Sequence, residues 1–433
     1  PGSGRRIDRL FDLPFGPSNN PLKQLGALGW FFFWIVVASG VYLYIFFDTG
    51  IVNAYASVEY ITHEQWYLAG VARSFHRYAS DALVIVMFLH LGRTLALGEY
   101  RGARWFSWVS GVPIIWLVYI AGITGYWLVW DELAQYVAVA TSEWLDTLGV
   151  FGEPIARNFL DSSVLSSRFF TLMVFMHIVV PLLLLLGLWL HVQRQTQARV
   201  NPPRELATGA LVAMLALSLV YPAVSQGPAD LDTVVAEVNL DWFYLVAYPL
   251  LDSVDGLWLW LGLGALSGAL TVVPWLPFRK PAPSAVVSLD NCNGCERCVQ
   301  DCPFTAITMG ARTDGKPYAA QAVVDPNLCT ACGMCVGACP TAMPFRRVSA
   351  LVPGIELPNE PIEALRHEVD AKLAALGAEV RILVVGCRRG SPLGALEADG
   401  VDVATVALPC VGALPPAFID FALSRGRADG VLL

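Results

Sequence analysis

The first 291 residues contain no cysteine; all ten in the chain lie from Cys292 onward. That absence removes disulfide staples, thiolate metal sites and thioether-tethered groups from the first two thirds of the chain. Charge is scarce too: 15% of the 433 residues are Asp, Glu, Lys or Arg, against 55% hydrophobic residues and fourteen tryptophans. Such a balance marks an integral membrane protein. Acidic residues outnumber basic ones, and the formal charge of −8 argues against nucleic acid as a partner. No cleavable leader is expected, because the basic RRIDR start runs through proline-bearing sequence into a full-length apolar span.

Six apolar segments are long enough to span a bilayer: 26–47, 70–92, 107–130, 169–191, 206–225 and 256–278. Their connections differ in sign. Arg5, Arg6, Arg9 and Lys23 precede the first; Arg101 and Arg104 follow the second; Arg194, Arg199 and Arg204 follow the fourth; Arg279 and Lys280 follow the sixth. The alternate connections, 48–69, 131–167 and 226–255, hold many carboxylates and a single basic residue, Arg157. The positive-inside rule therefore places the N-terminus, and everything after residue 278, on the cytoplasmic side of an inner membrane.

Four of the six histidines fall in two of these segments as pairs fourteen residues apart, His76 with His90 and His177 with His191. Fourteen residues make almost four helical turns and ~21 Å of rise, so both members of a pair face one way. In a hydrocarbon core ~30 Å thick, one histidine then lies near each surface. Two such helices facing each other suit two stacked haems with bis-imidazole ligation, His76/His177 outer and His90/His191 inner. A lone histidine is more often a hydrogen-bonded core residue; the repeated spacing is what favours ligation. Gly26 and Gly40, and Gly111 and Gly125, repeat the same interval, as backbones approaching a flat macrocycle would require. They equally suit ordinary helix packing. Arg73, Arg77 and Arg93 stand within a turn of the histidines, where haem propionates need cations and where snorkelling also places arginine. His63 and His367 are expected to be merely exposed.

After a proline-bearing linker, RKPAPSAVV, come CNGCERCVQDCP and CTACGMCVGACP. Both have the form C-x2-C-x2-C-x3-C-P, in which three thiolates hold one cubane and the fourth reaches the other. The crossed order assigns Cys292, Cys295, Cys298 and Cys339 to one 4Fe–4S cluster, and Cys329, Cys332, Cys335 and Cys302 to a second. Zinc is the weaker alternative for so regular a pair of runs. An acidic amphipathic helix over 356–377 follows, then an α/β tail beginning RILVVGC. The expected fold is an all-α transmembrane haem-binding bundle (1–280), an α+β ferredoxin-like domain (281–350), a helical linker (351–378) and a small α/β domain (379–433).

On these residues, 20–278 resembles cytochrome b of the cytochrome bc complexes, helices A to F. The histidine pairs, the four glycines, HLGRT, GYWLVW and Pro181 all match. Leu240-Asp241-Trp242-Phe243 is similar to that family's quinol-site segment Pro-Glu-Trp-Tyr, which implies Asp241 and Trp242 as quinone-site residues and Asp241 as the proton acceptor. Alternatively Asp241 is a solvated helix-start residue. Val129 stands where the family has proline, Arg168 lies a turn further from His177, and the family's last two helices are missing. Residues 380–433 resemble the iron–sulfur subunit of methyl-viologen-reducing hydrogenases, which implies a 2Fe–2S site. Only Cys387 and Cys410 are present to serve it, so the other ligands would come from a partner or from further sequence; the competing expectation is that both are buried structural cysteines of a domain used only for docking.

The function these features imply is electron exchange between the quinone pool and a cytoplasmic flavin or iron–sulfur protein, through two b-type haems and two 4Fe–4S clusters. The competing reading is a haem-bearing anchor without quinone turnover. Quinol bifurcation has no Rieske-type motif in this chain to support it. Resemblance also implies a homodimer within a larger complex.

Overall fold

A long apolar run in a bilayer satisfies its own backbone as a helix, and the computed structural model builds these segments so. It describes residues 2–101, 104–159, 167–193, 198–235, 237–276, 283–326, 328–377, 380–388 and 401–433. Arg194, Arg279, Lys280 and the first residues of the expected linker lie outside them. Two compact units result, residues 1–100 with 104–276, and 277–433 with 101–103.

The first unit is helical. It comprises α1 (Gly2–Asn19), α2 (Leu25–Tyr44), α3 (Ala54–His63), α4 (Val71–Leu97), α5 (Trp105–Val129), α6 (Glu132–Asp146), α7 (Ser167–Val192), α8 (Arg204–Val220), α9 (Tyr248–Leu251) and α10 (Gly256–Val272). Helix α2 packs along α4, and α5 along α7. Among the described residues, five helical stretches are long and apolar enough to cross a membrane. The remaining expected span, 206–225, is the 17-residue α8, at the short limit of spanning length. It stops because Pro222 forces Tyr221 out of the helical region, to φ −135° and ψ 75°.

One apolar core of this unit joins Phe33, Val84, Val118, Trp127, Phe170 and Leu184 to Tyr244 and Leu245 of the connection after α8. Leu182, Leu186 and Trp189 of α7 are exposed, as a lipid-facing stripe is in the absence of lipid. The connection is pinned at Asp131, which caps α6 at Ala134 N (2.8 Å) and accepts from Gln226 N (2.9 Å). Gln135 adds two hydrogen bonds with the backbone of Asp230, each 2.8 Å. Burial holds the Asp131 carboxyl above its usual range.

In the second unit β1 (Val286–Val287) pairs antiparallel with β4 (Ile355–Glu356), and β2 (Ile307–Ala311) with β3 (Ala320–Val324). Short helices α11 (Arg297–Gln300) and α12 (Met334–Ala338) lie within the cysteine runs, before Cys302 and Cys339, and α13 (Ile362–Ala374) follows. Strands β5 (Val380–Cys387), β6 (Val401–Leu408) and β7 (Gly430–Leu432) form a parallel sheet in the order β6-β5-β7, with α14 (Ala417–Leu423) before β7. A single apolar core runs through all of it, from Ile307 and Val336 through Leu365 and Val369 to Leu383, Val406 and Phe418.

Candidate functional site

Each of the four spaced glycines faces one histidine ring. A Cβ built on Gly40 would lie 2.9 Å from His76 Cε1, and one on Gly125 2.9 Å from His177 Cε1. The corresponding distances are 3.4 Å for Gly111 to His191 and 3.8 Å for Gly26 to His90. The glycines thus make room first for the imidazoles. With no Cβ in the way, His76 Nδ1 reaches Val36 O (2.9 Å) and His177 Nδ1 reaches Ala121 O (3.0 Å), each the carbonyl four residues before the glycine. A carbonyl only accepts, so Nδ1 carries the hydrogen and Nε2 keeps its lone pair.

Hydroxyls one residue before three of the glycines stand beside the same nitrogens: Ser39 at 3.3 Å from His76, Thr124 at 3.3 Å from His177 and Ser110 at 3.1 Å from His191. These three were not among the expected site residues; their signal in the sequence is a Ser/Thr-Gly step, with Ser110 and Thr124 at the histidine interval.

The rings of His76 and His177 are 6.2 Å apart, centre to centre, at 64° to each other. A metal–imidazole bond of about 2 Å on each side, plus about 1 Å from each nitrogen to its ring centre, requires roughly 6 Å. That spacing leaves room for one iron between the rings, which His76 and His177 would hold. Haem fits these residues by both spacing and tautomer.

The arginines have protein partners. Arg73 donates to Thr62 and to Ser225 Oγ (2.9 Å) and lies 3.9 Å from Glu59. Arg77 pairs with Asp241 (2.9 Å), approaches Asp81 (3.6 Å) and donates to Tyr126. Arg93 follows His90 by three positions on α4.

Asp241 is buried, at 8% exposure, so it is not the solvated helix-start residue of the alternative reading. It accepts from Phe243 N (2.7 Å) and from Tyr126, and sits beside the residue that follows His76. Trp242 points the other way and is 69% exposed. The two expected quinone-site residues are therefore separated: the tight turn that buries Asp241 turns its neighbour out. His63 and His367 are exposed, at 63% and 70% of their side chains.

In the second unit Cys292, Cys295, Cys298 and Cys339 line one cavity, and Cys302, Cys329, Cys332 and Cys335 line another. The fourth cysteine of each run thus joins the other run's cavity. Among the described residues no three His, Cys, Asp or Glu side chains converge on a single-ion site. Thiols spread around a cavity suit a polynuclear cluster better than one zinc ion. Burial, with the neighbouring thiols adding to it, pushes Cys298 up to about 11 and Cys335 up to about 12. Thiols so placed ionise when a metal's charge holds them.

Cys387 ends β5 with its Sγ 3.2 Å from Pro409 O, and Cys410 opens the turn that follows β6. That turn packs on α12. A Cβ on Gly337 would fall 2.1 Å from Gly412 O, and one on Gly333 2.7 Å from Ala413 Cβ. Cys410 thereby stands within electrostatic reach of Cys332.

Comparison with known proteins bears on both units. Residues 10–197 match the cytochrome b/b6/petB family model, and residues 291–343 match the 4Fe–4S dicluster domain. A solved structure described as "Hyperthermophilic respiratory Complex III" is similar at 18% identity and a TM-score of 0.49, over 63% of this chain and 81% of that one. A cytochrome b-type membrane domain joined to a 4Fe–4S dicluster domain defines the class: an integral membrane electron-transfer protein that uses haem and iron–sulfur cofactors.

Proposed function

We propose that this chain is the membrane subunit of an oxidoreductase complex that exchanges electrons between the quinone pool and a cytoplasmic flavin or iron–sulfur protein. The observation that carries the reading is the presence, in one chain, of paired intramembrane histidines with free Nε2 atoms and two cavities of four cysteines each. His76 and His177 would hold the outer haem b, His90 and His191 the inner one; the crossed cysteine groups would hold two 4Fe–4S clusters. Bis-histidine iron has no open position, so these groups supply one-electron transfer and not oxygen binding. The surrounding residues orient imidazoles, exclude water and hold protons.

The iron–sulfur unit belongs on the cytoplasmic face by the charge asymmetry of the connections. Cys387 and Cys410 are proposed as half of a 2Fe–2S site completed from elsewhere, a reading supported by the packing of the Cys410 turn on α12, close to the second cysteine group. A homodimer is proposed by resemblance.

Asp241 buried at the His76 end of the bundle supports a quinone site there over a passive anchor, because a carboxylate buried without a task only costs stability. Adding quinol to the purified protein should reduce its haem. Asp241→Asn should slow that reduction roughly a hundredfold while leaving haem content unchanged, because an amide keeps the shape but takes no proton. Reduction at the wild-type rate would return Asp241 to a capping role and favour the anchor.

A further inference from the structure

The structure sets a second carboxylate, Asp81, near Asp241, on the same arginine. Asp81 lies on α4, five residues beyond His76 and inside a membrane-spanning helix, where an ionisable side chain is costly and is functional by default. It is 9% exposed, and its Oδ1 is buried with no hydrogen-bond donor. Its Oδ2 lies 3.6 Å from Arg77 Nε, while the same guanidinium meets Asp241 Oδ2 at 2.9 Å. One arginine therefore serves two buried carboxylates. Sharing that guanidinium sets two like charges close together, an arrangement that favours a proton on one of them.

Among the described residues Arg77 is the one cation paired with the two carboxylates. The charged and titratable groups around the pair are Arg77, Tyr78, Tyr119, Tyr126 and Tyr244. Tyr126 donates to Asp241 and lies under Arg77, whose guanidinium is 4.9 Å from its ring centre. The Tyr244 hydroxyl is engaged with Ser80 Oγ at 2.6 Å. Two negative charges and one positive leave the cluster able to take up one proton, which would bring it to neutrality.

We propose that Asp81 and Asp241 form a carboxylate pair that binds one proton between them over the shared Arg77, making Asp81 a second proton-handling residue of the quinone site. This rests on the quinone reading above. A quinol becomes a quinone by losing two protons and two electrons. Haem held by His76 and His177 would accept the electrons one at a time. The first O–H bond breaks as an O–H bond forms on Asp241, and that proton is then shared with Asp81 while Arg77 stays bound to both. It must leave for the aqueous phase before the pair takes the second proton.

Infrared spectroscopy of the purified, cofactor-loaded protein tests the pair without quinol. Lowering the pH should bring up one carboxylic-acid C=O band that is missing in both Asp81→Asn and Asp241→Asn, since a single remaining carboxylate stays ionised against Arg77. Persistence of that band in Asp81→Asn, or in Asp81→Ser should the first variant not fold, overturns the proposal. Quinol-dependent haem reduction is the second measurement. Asp81→Asn should slow it by about tenfold or more and flatten its pH dependence, with haem content unchanged and activity recovered in Asp81→Glu. A shared band in a protein whose wild type is not reduced by quinol would leave the pair standing and remove the quinone reading. A wild-type rate and pH profile in Asp81→Asn would remove Asp81 from the proton route.

Discussion

At the scale of single residues, the histidines depend on what is missing opposite them. Gly40 and Gly125 leave space that a methyl group would take from the imidazole, at 2.9 Å, whereas Gly26 leaves an ordinary 3.8 Å contact. Gly40→Ala should therefore displace the His76 ring from Val36 O and remove one haem, while Gly26→Ala should keep both. A pyridine haemochrome assay on the two variants checks this, and equal haem contents would contradict the assignment of the outer site. The hydrogen bond from Nδ1 to a backbone carbonyl is the part sequence could not supply, since every residue has a carbonyl. Only the fold chooses Val36 and Ala121. The hydroxyls of Ser39, Ser110 and Thr124 were visible as residues but not as partners.

At the scale of elements, helices were readable because a bilayer allows little else for a long apolar run. The ends were decided locally: proline stops α8 at Val220, and Asp131 starts α6. The connection after α8 was not readable as structure. It carries Asp241 into the bundle because Gly122 on α5 leaves a place for the Tyr244 ring, where a Cβ would stand 2.1 Å from Cε1. The tail follows the same rule, with Gly337 of α12 under Gly412 of the turn. Gly337→Ala should push that turn off the second cysteine group, at a cost of about 1–3 kcal/mol for overpacking. Limited proteolysis would then release the tail sooner than from wild type; unchanged protection would mean the turn relaxes without undocking.

At the scale of the whole molecule, the count of cofactors is the decisive quantity. Two 4Fe–4S clusters supply about eight acid-labile sulfides per chain, and a completed 2Fe–2S site would add about two more. Chemical sulfide and iron analysis on the full chain, with haem iron subtracted, should give about eight of each in the absence of a partner. Zinc in place of iron, or about four sulfides, would reject the crossed arrangement of Cys292, Cys295, Cys298 and Cys339 against Cys302, Cys329, Cys332 and Cys335.

The sequence by itself determined the membrane character, the facing of the histidine pairs and the cysteine runs, because each rests on a period or a spacing within one stretch of chain. Helical rise turns a fourteen-residue interval into two depths in a bilayer, and cysteines two or three residues apart can only cluster. What lay between distant stretches was decided by tertiary structure. It put Asp81 and Asp241 on one arginine, turned Trp242 outward while burying its neighbour, and ran one apolar core through segments that read as separate domains. A pairing across 160 positions has no signature in either partner's local sequence; packing alone brings such residues together.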